Sequence, residues 1–297
     1  MANPKMEMGG LYNCSKHKQL KRIPREFTPK TIYVHKNTPF PLILARILDS
    51  NLDFPLIAKP DRGERGVGVS LVKDKSELTK YTDKAKGDFL IQEYIDTPFE
   101  AGLFYYRIPG QASGFIPSLV VKSFLKVTGD GYSSTRDLIF QIPRARMVAT
   151  NLLQRSDINP DEVLPYGKIK ILEPIGNHNR GTEFVDGSYL HNPELVYFFD
   201  TLSSHIPHFH YGRFDLRAPS EEDFKKGSGI KILEVNGVNA EPAHIYDPKA
   251  KFWTGVRTLL RHWEIIYTIS MENEKRGFRP ASFSTAWKHY KSWRIKK

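Results

Sequence analysis

Apolar positions along this chain recur with two periods, and each marks a different kind of element. Residues 54–59 (FPLIAK) form a short continuous apolar run, the pattern of a buried strand. A glycine-rich turn over 61–68 follows, then a second strand over 67–72 and a short helix capped by Ser76. Strand patterns recur at 31–35, 89–95, 103–108 and 119–127, with a turn at 96–98. The period then lengthens. Asn192-Pro193-Glu194 is a helix start, with a capping Asn, Pro at the first helical position and an acid beside the positive helix end. Behind it Leu195, Phe198, Phe199, Leu202 and Ile206 fall on one helical face. Two strands, 210–217 and 230–236, come next, joined by a polar loop, and an apolar-aromatic helix is expected over about 249–271. Strands and helices alternate irregularly, which predicts an α+β fold.

Composition changes this picture little. With 297 residues, 40% of them hydrophobic, the chain can bury a substantial core. No apolar run reaches the roughly 20 residues that cross a bilayer, and residues 1–10 show no signal-peptide pattern. Cys14 is the only cysteine, so an internal disulfide is excluded and a reducing cytoplasm is the expected compartment; the thiol has no reactive context. The net charge of +11 invites a nucleic-acid reading, but eight Lys and Arg follow Glu274 with no acid among them, and removing them leaves +3 for residues 1–274.

Candidate chemistry begins at LIAKPDRGERGVGVSLV, residues 56–72. Lys59 ends a buried strand, where an unpaired ammonium would be costly. Gly63, Gly66 and Gly68 let backbone N–H groups approach a phosphate, and Arg62 and Arg65 add charge. A β-hairpin with a basic turn is the alternative; the segment is neither a Walker A loop nor a dinucleotide fingerprint. LIQEYIDTPFE, residues 90–100, is a strand leading into an extended hinge, able to offer backbone groups to an adenine edge. Glu93 and Glu100 are its candidate ribose acceptors, or else solvent-facing carboxylates.

In GRFDLR (212–217), strand alternation turns Arg213, Asp215 and Arg217 to one face. In KILEVN (231–236) it does the same for Glu234 and Asn236. If the two strands pair, three hard oxygen ligands converge beside an arginine, a set suited to Mg²⁺. A half-solvated sheet face with paired charges is the other reading.

In order and spacing these motifs resemble the ATP-grasp carboxylate–amine ligases: Lys59 and its loop, Glu93 with Glu100, Arg213-Phe-Asp215, then Glu234-Val-Asn236. D-alanine–D-alanine ligase is the familiar relative. VTGDGYSSTRDLI (127–139) is similar to a segment of cyanophycin synthetase and the glutathione-forming ligases, and NHNRGTEF (177–184) to their glycine-containing segment. The likeness covers roughly 12–248. It implies an ATP-grasp fold, two α+β lobes clasping the nucleotide, with the usual preceding domain reduced or missing. The implied division is a remnant over 1–30, a core over 31–248 (lobes about 31–95 and 96–248), and a C-terminal helix and tail over 249–297.

The resemblance also implies roles. Lys59 contacts ATP phosphate, with Lys16 in CSKHK as the earlier nucleotide-contacting lysine, and the loop carrying Arg65, Gly66 and Gly68 closes over the phosphates. Gln92, Glu93, Tyr94 and Ile95 form the adenine hinge, with Glu93 near the adenine amino group and Glu100 at the ribose. Asp215, Glu234 and Asn236 hold Mg²⁺, for which Mn²⁺ can substitute. Arg213 stabilises an acyl phosphate, and Arg180 is the second catalytic candidate. Glu241, His244 and Asp247, after the metal strand, either contact an amine-bearing substrate or order their loop.

Two features stand outside this set. His205, His208 and His210 cluster, either as a zinc site or as alternate positions on an exposed strand. Phe283, Trp287, Tyr290 and Trp293 form an aromatic helical stripe among Lys and Arg over 275–297, docking on an anionic surface or packing on the protein's own core. The expected function is therefore an ATP- and Mg²⁺-dependent ligase, with a protein partner for the acceptor site in view and no specific nucleic acid. The competing readings are a phosphotransferase without ligation and a basic nucleic-acid or membrane-binding module.

Overall fold

The computed structural model describes residues 1–295, with side chains through residue 291. Two compact units form: unit 1 comprises Met1–Val121 and Asp186–Lys297, and unit 2 comprises Lys122–Val185.

Unit 1 opens with helix α1 (Lys16–Leu20), strand β1 (Thr31–Val34) and helix α2 (Phe40–Asp49). Strands β2 (Leu56–Pro60) and β3 (Ser70–Val72), helix α3 (Lys75–Lys84) and strand β4 (Phe89–Glu93) follow. These strands make an antiparallel sheet in the order β1-β4-β2-β3. Alternation divides its faces: Leu56, Ala58, Phe89 and Ile91 pack against Ile43 and Ile47 of α2 and Leu78 of α3. The opposite parity carries Lys59, Leu90 and Gln92. Two expected boundaries move here. β3 begins at Ser70 because Gly66 and Gly68 hold positive φ, which breaks extended pairing before it. Asp74, not Ser76, caps α3, its carboxylate accepting Glu77 N at 2.9 Å.

The second sheet uses β5 (Phe99–Tyr106) and β6 (Phe115–Ser123), at whose end the chain passes into unit 2. In unit 2 lie β7 (Lys126–Thr128), α4 (Thr135–Gln141), α5 (Pro143–Arg146), α6 (Ala149–Leu153) and β8 (Ile169–Ile171). The single strand expected over 119–127 is thus two, β6 and β7. β7 pairs antiparallel with β8, and Val127, Leu138, Ile139, Leu152 and Leu172 share a core. Ser134 and Asp137 form a reciprocal capping box on α4, satisfying two otherwise orphan backbone donors.

The chain leaves unit 2 through β9 (Glu183–Asp186) and continues with α7 (Pro193–Ser204), β10 (Tyr211–Ala218), α8 (Glu221–Lys225), β11 (Lys231–Asn236), α9 (Phe252–Lys275) and α10 (Phe283–Ile295). Asn192 caps α7 as predicted, accepting Leu195 N at 2.8 Å. The polar loop between β10 and β11 contains α8, capped by Ser220. In unit 1 the antiparallel strands run β11-β10-β5-β6. One face of this sheet (Ala101, Leu103, Tyr105, Phe214 and Leu216) packs on Leu195, Phe199 and Leu202 of α7 and Phe224 of α8. On the other face, Phe104 and Tyr211 meet Ile265 and Ile269 of α9. The rest of that face is the site.

Candidate functional site

Residue pairing between β10 and β11 converts the predicted alternation into a cluster. Arg213 lies opposite Asn236 and Asp215 opposite Glu234, and a register shift follows Asp215. Asn236 Nδ2 donates to Asp215 Oδ2 at 2.9 Å, and the Arg213 guanidinium reaches the same oxygen from Nη2 at 3.1 Å. Asp215 stands beside Gly102 of β5, where a Cβ would lie 3.1 Å from Val120 and 3.4 Å from the Asp215 carboxylate. A glycine there leaves the carboxylate its room. Burial disfavours the Arg213 charge, but Asp215 and then Glu234 and Glu241 hold its pKa above the ordinary arginine value.

Lys59 arrives from the other sheet. It is 6% exposed, and its ammonium donates to Gln92 Oε1 at 2.8 Å and to the Leu233 carbonyl at 3.0 Å. Leu233 immediately precedes Glu234, so this bond ties the first sheet to the acidic strand. Burial lowers the Lys59 pKa to about 8, opposed by Glu234 and Asp215, which favour the charged form. Gln92 is itself oriented, its Nε2 donating to Thr31 Oγ1 at 2.8 Å.

The N-terminal segment supplies a third wall. Lys16 Nζ lies 3.4 Å from Glu234 Oε1 and donates to the Gly63 carbonyl. Asp61, at the base of the glycine loop, accepts Ser15 Oγ and His17 N, each at 2.9 Å. Arg62 is held by Glu7, whose pKa falls to about 2: burial would raise it, but the Arg62 and Lys18 side chains outweigh that. Beyond this latched base, Arg65 is exposed with φ +57°. Between the walls lies a polar cavity lined by Lys16, Gln19, Gly63, Glu64, Glu234 and Asn236, among others. Gln19 Oε1 is buried there without a hydrogen-bond partner.

Lys16, Lys59, Gln92, Arg213, Asp215, Glu234 and Asn236 are thus brought together. Other candidates sit elsewhere. Alternation turns Glu93 away from the Lys59 face, and its carboxylate accepts Lys30 N at 3.0 Å. Glu100 is buried rather than solvent-facing, taking the Arg217 Nε donor at 2.7 Å. Arg217 also donates to the Ile95 carbonyl and lies over the Tyr94 ring at 5.4 Å. Arg180 belongs to unit 2, where its Nε donates to the buried Glu173 at 3.0 Å.

The residues that follow β11 are held by hydrogen bonds, some to other strands. Asp247 accepts Asp186 N at 2.7 Å and Lys249 N at 2.6 Å, Tyr246 donates to Glu241, and His244 Nδ1 sits 2.7 Å from Ser118 Oγ. The histidine cluster is not an exposed strand: His208 turns at φ +53° ahead of β10 and packs on Phe278, with ring centroids 4.6 Å apart. Among the described residues no three His, Cys, Asp or Glu side chains converge as a metal site. The β10–β11 trio instead joins two carboxylates to an amide. Cys14 is a half-buried free thiol, its pKa raised by burial to about 11. Tyr290 of α10 packs on Tyr12 with centroids 5.9 Å apart, while Trp293, Arg294, Lys296 and Lys297 lie outside the described side chains.

Asp61, Gln19 and Arg217 were not read as site residues from the sequence. A signal existed for Arg217, which strand alternation places on the face of Arg213 and Asp215.

Residues 11–100 match the family model of the tubulin-tyrosine ligase family. No curated protein sequence matches the chain. Among solved structures the chain is similar to a bifunctional glutathione synthetase from Pasteurella multocida, 14% identical with a TM-score of 0.42 over 84% of this chain and 36% of that one. It is similar to the VanG D-Ala:D-Ser ligase from Enterococcus faecalis, 13% identical with a TM-score of 0.49 over 87% of this chain and 61% of that one. A D-alanine–D-alanine ligase from Bacillus anthracis complexed with ATP is 18% identical, with a TM-score of 0.46 over 88% of this chain and 68% of that one. The chain thus spans 36% and 61% of the first two of these structures.

Proposed function

We propose that this chain is an ATP-dependent carboxylate–amine ligase of the ATP-grasp type. The observation that carries the reading is the meeting of Lys59 with the Asp215–Glu234–Asn236 cluster and Arg213, contributed by two sheets to one half-buried polar site. The family-model match over 11–100 adds to it, since that stretch contains Lys16, Lys59 and the glycine loop.

Lys59 and Lys16 hold the nucleotide phosphates, and the 61–68 loop covers them from a base clamped by Asp61. The donor set of Asp215, Glu234 and Asn236, together with the unpartnered Gln19 oxygen nearby, fits a hard divalent cation and its hydration shell. Mg²⁺ bound there neutralises phosphate charge. The 94–95 hinge receives the adenine, with Tyr94 and the Ile95 carbonyl set by Arg217.

A carboxylate oxygen of the substrate attacks the γ-phosphorus and the bond to the bridging oxygen breaks, leaving ADP and an acyl phosphate. Arg213 faces the charge that develops. An amine then attacks the acyl carbon, phosphate departs, and the amine proton leaves to solvent or a nearby base. Catalysis is mainly positioning and electrostatic stabilisation.

The test is an ATP-dependent phosphate-release screen against pooled amino acids, short peptides and amino sugars, with mass spectrometry of products. Phosphate release and a condensed product, both abolished in a folded Glu234→Gln variant, are expected. A phosphorylated product without condensation would overturn ligation, and full activity in the variant would overturn the metal assignment.

A further inference from the structure

Helix α9 is amphipathic twice over. Its inner face, carrying His262, Ile265, Ile269 and Asn273, is buried. Its outer face should then be polar, and it is not. Trp253, Val256, Leu260, Trp263 and Tyr267 recur at alternating spacings of three and four, with Met271 one turn further. That is the seam pattern by which helices pair with each other. Trp253 is 74% exposed, Leu260 57%, Trp263 68% and Tyr267 66%.

Two arguments choose the occupant. The first is area. Aromatic side chains carry roughly 150–250 Å² each, so three largely exposed rings with Leu260 and Met271 make a patch on the order of 600 Å². That is at the upper end for a monomer's largest patch, about 300–600 Å². It also approaches the ~800 Å² per partner of a standard interface.

The second argument is charge. Arg257 and Glu264 lie seven residues apart on the same flank of the seam, and both are exposed. When two copies pair antiparallel, that flank meets itself, and Arg257 of each helix opposes Glu264 of the other. Parallel pairing would instead set it against the flank of Leu259 and Ile266, which carries no charge. Glu264 also takes Arg261 Nη1 of its own helix at 2.5 Å on one carboxylate oxygen, which leaves the other oxygen for Arg257 of a second copy.

We infer that the outer face of α9 is a homodimer seam, on which a second copy of this chain docks through an antiparallel α9–α9 contact related by a two-fold axis. The seam is self-complementary: aromatic side chains fill its centre, two Arg257–Glu264 pairs close one side, and Leu259 and Ile266 of the two copies meet on the other.

The test is sedimentation velocity of the full chain over a micromolar concentration series. The wild-type protein is expected to sediment as a dimer, and Trp263→Ser as a folded monomer. Arg257→Glu and Glu264→Arg each place like charges opposite one another, so each alone weakens association by about tenfold or more. Mixed together, the two variants regain wild-type association, because each reversed side chain then faces an opposite charge on the other chain. A monomeric wild-type protein at every concentration overturns the inference. So does a dimer unmoved by Trp263→Ser, failure of the mixture to recover, or binding to anionic phospholipid vesicles without self-association.

Discussion

Lys59 is a buried ammonium with two neutral acceptors and two carboxylates close by. A group so desolvated is retained at a cost in stability, which points to function. Replacing Lys59 by Met should lower the rate of ATP-dependent phosphate release by about 10²–10³-fold, the usual effect of losing one electrostatic contact to a reacting group. The stability change should stay within about 1 kcal/mol, because the lost hydrogen bonds are offset by relief of desolvation. Phosphate assays beside urea unfolding curves separate the two effects. The lysine and the acidic trio could be read from residue type and alternation. Gln19 could not: what marks it is an amide oxygen left without a partner, and only packing reveals that.

At the scale of elements, β5 and β10 are joined by a buried ion pair. Arg217 and Glu100 both lie almost wholly inside, and Arg217 also supports the hinge through the Ile95 carbonyl. Breaking such a pair on one side leaves an uncompensated charge, so Glu100→Ala should destabilise the protein by about 3–5 kcal/mol. Denaturant midpoints at constant slope would measure it; a change under about 1 kcal/mol would mean that water reaches Arg217 freely. Periodicity found most of the strands and the α7 cap. It misplaced β3 and merged β6 with β7, because strand ends are set by backbone partners rather than by apolar runs.

At the scale of the whole molecule, α9 holds a titrating joint against the second sheet. His262 Nδ1 and the Tyr211 hydroxyl share a hydrogen bond of 2.8 Å beside the Phe104 ring. Burial, with a smaller effect of His244, lowers the His262 pKa to about 4. An unfolded histidine titrates near 6.5, so between those values the unfolded chain binds the extra proton. This contribution is therefore complete above pH 6.5 and is lost as pH falls toward 4, amounting to at most about 3 kcal/mol. Thermal melts from pH 7 to 4 should show the loss, and His262→Phe should flatten the profile in that window. An unchanged slope in the variant would place the acid sensitivity elsewhere.

The sequence alone determined what is local: strand parity, which sets Arg213 with Asp215 and Glu234 with Asn236; the α7 cap at Asn192; and the apolar-aromatic run of α9. Tertiary structure decided what is not local. It put the Leu233 carbonyl onto Lys59 across 174 positions and buried Glu100 against Arg217, 117 positions away. It also latched Asp61 onto Ser15 and His17. The reason is physical. Side-chain direction within an element follows from backbone period, whereas the partner across a sheet is chosen by the register that satisfies every buried donor and acceptor at once.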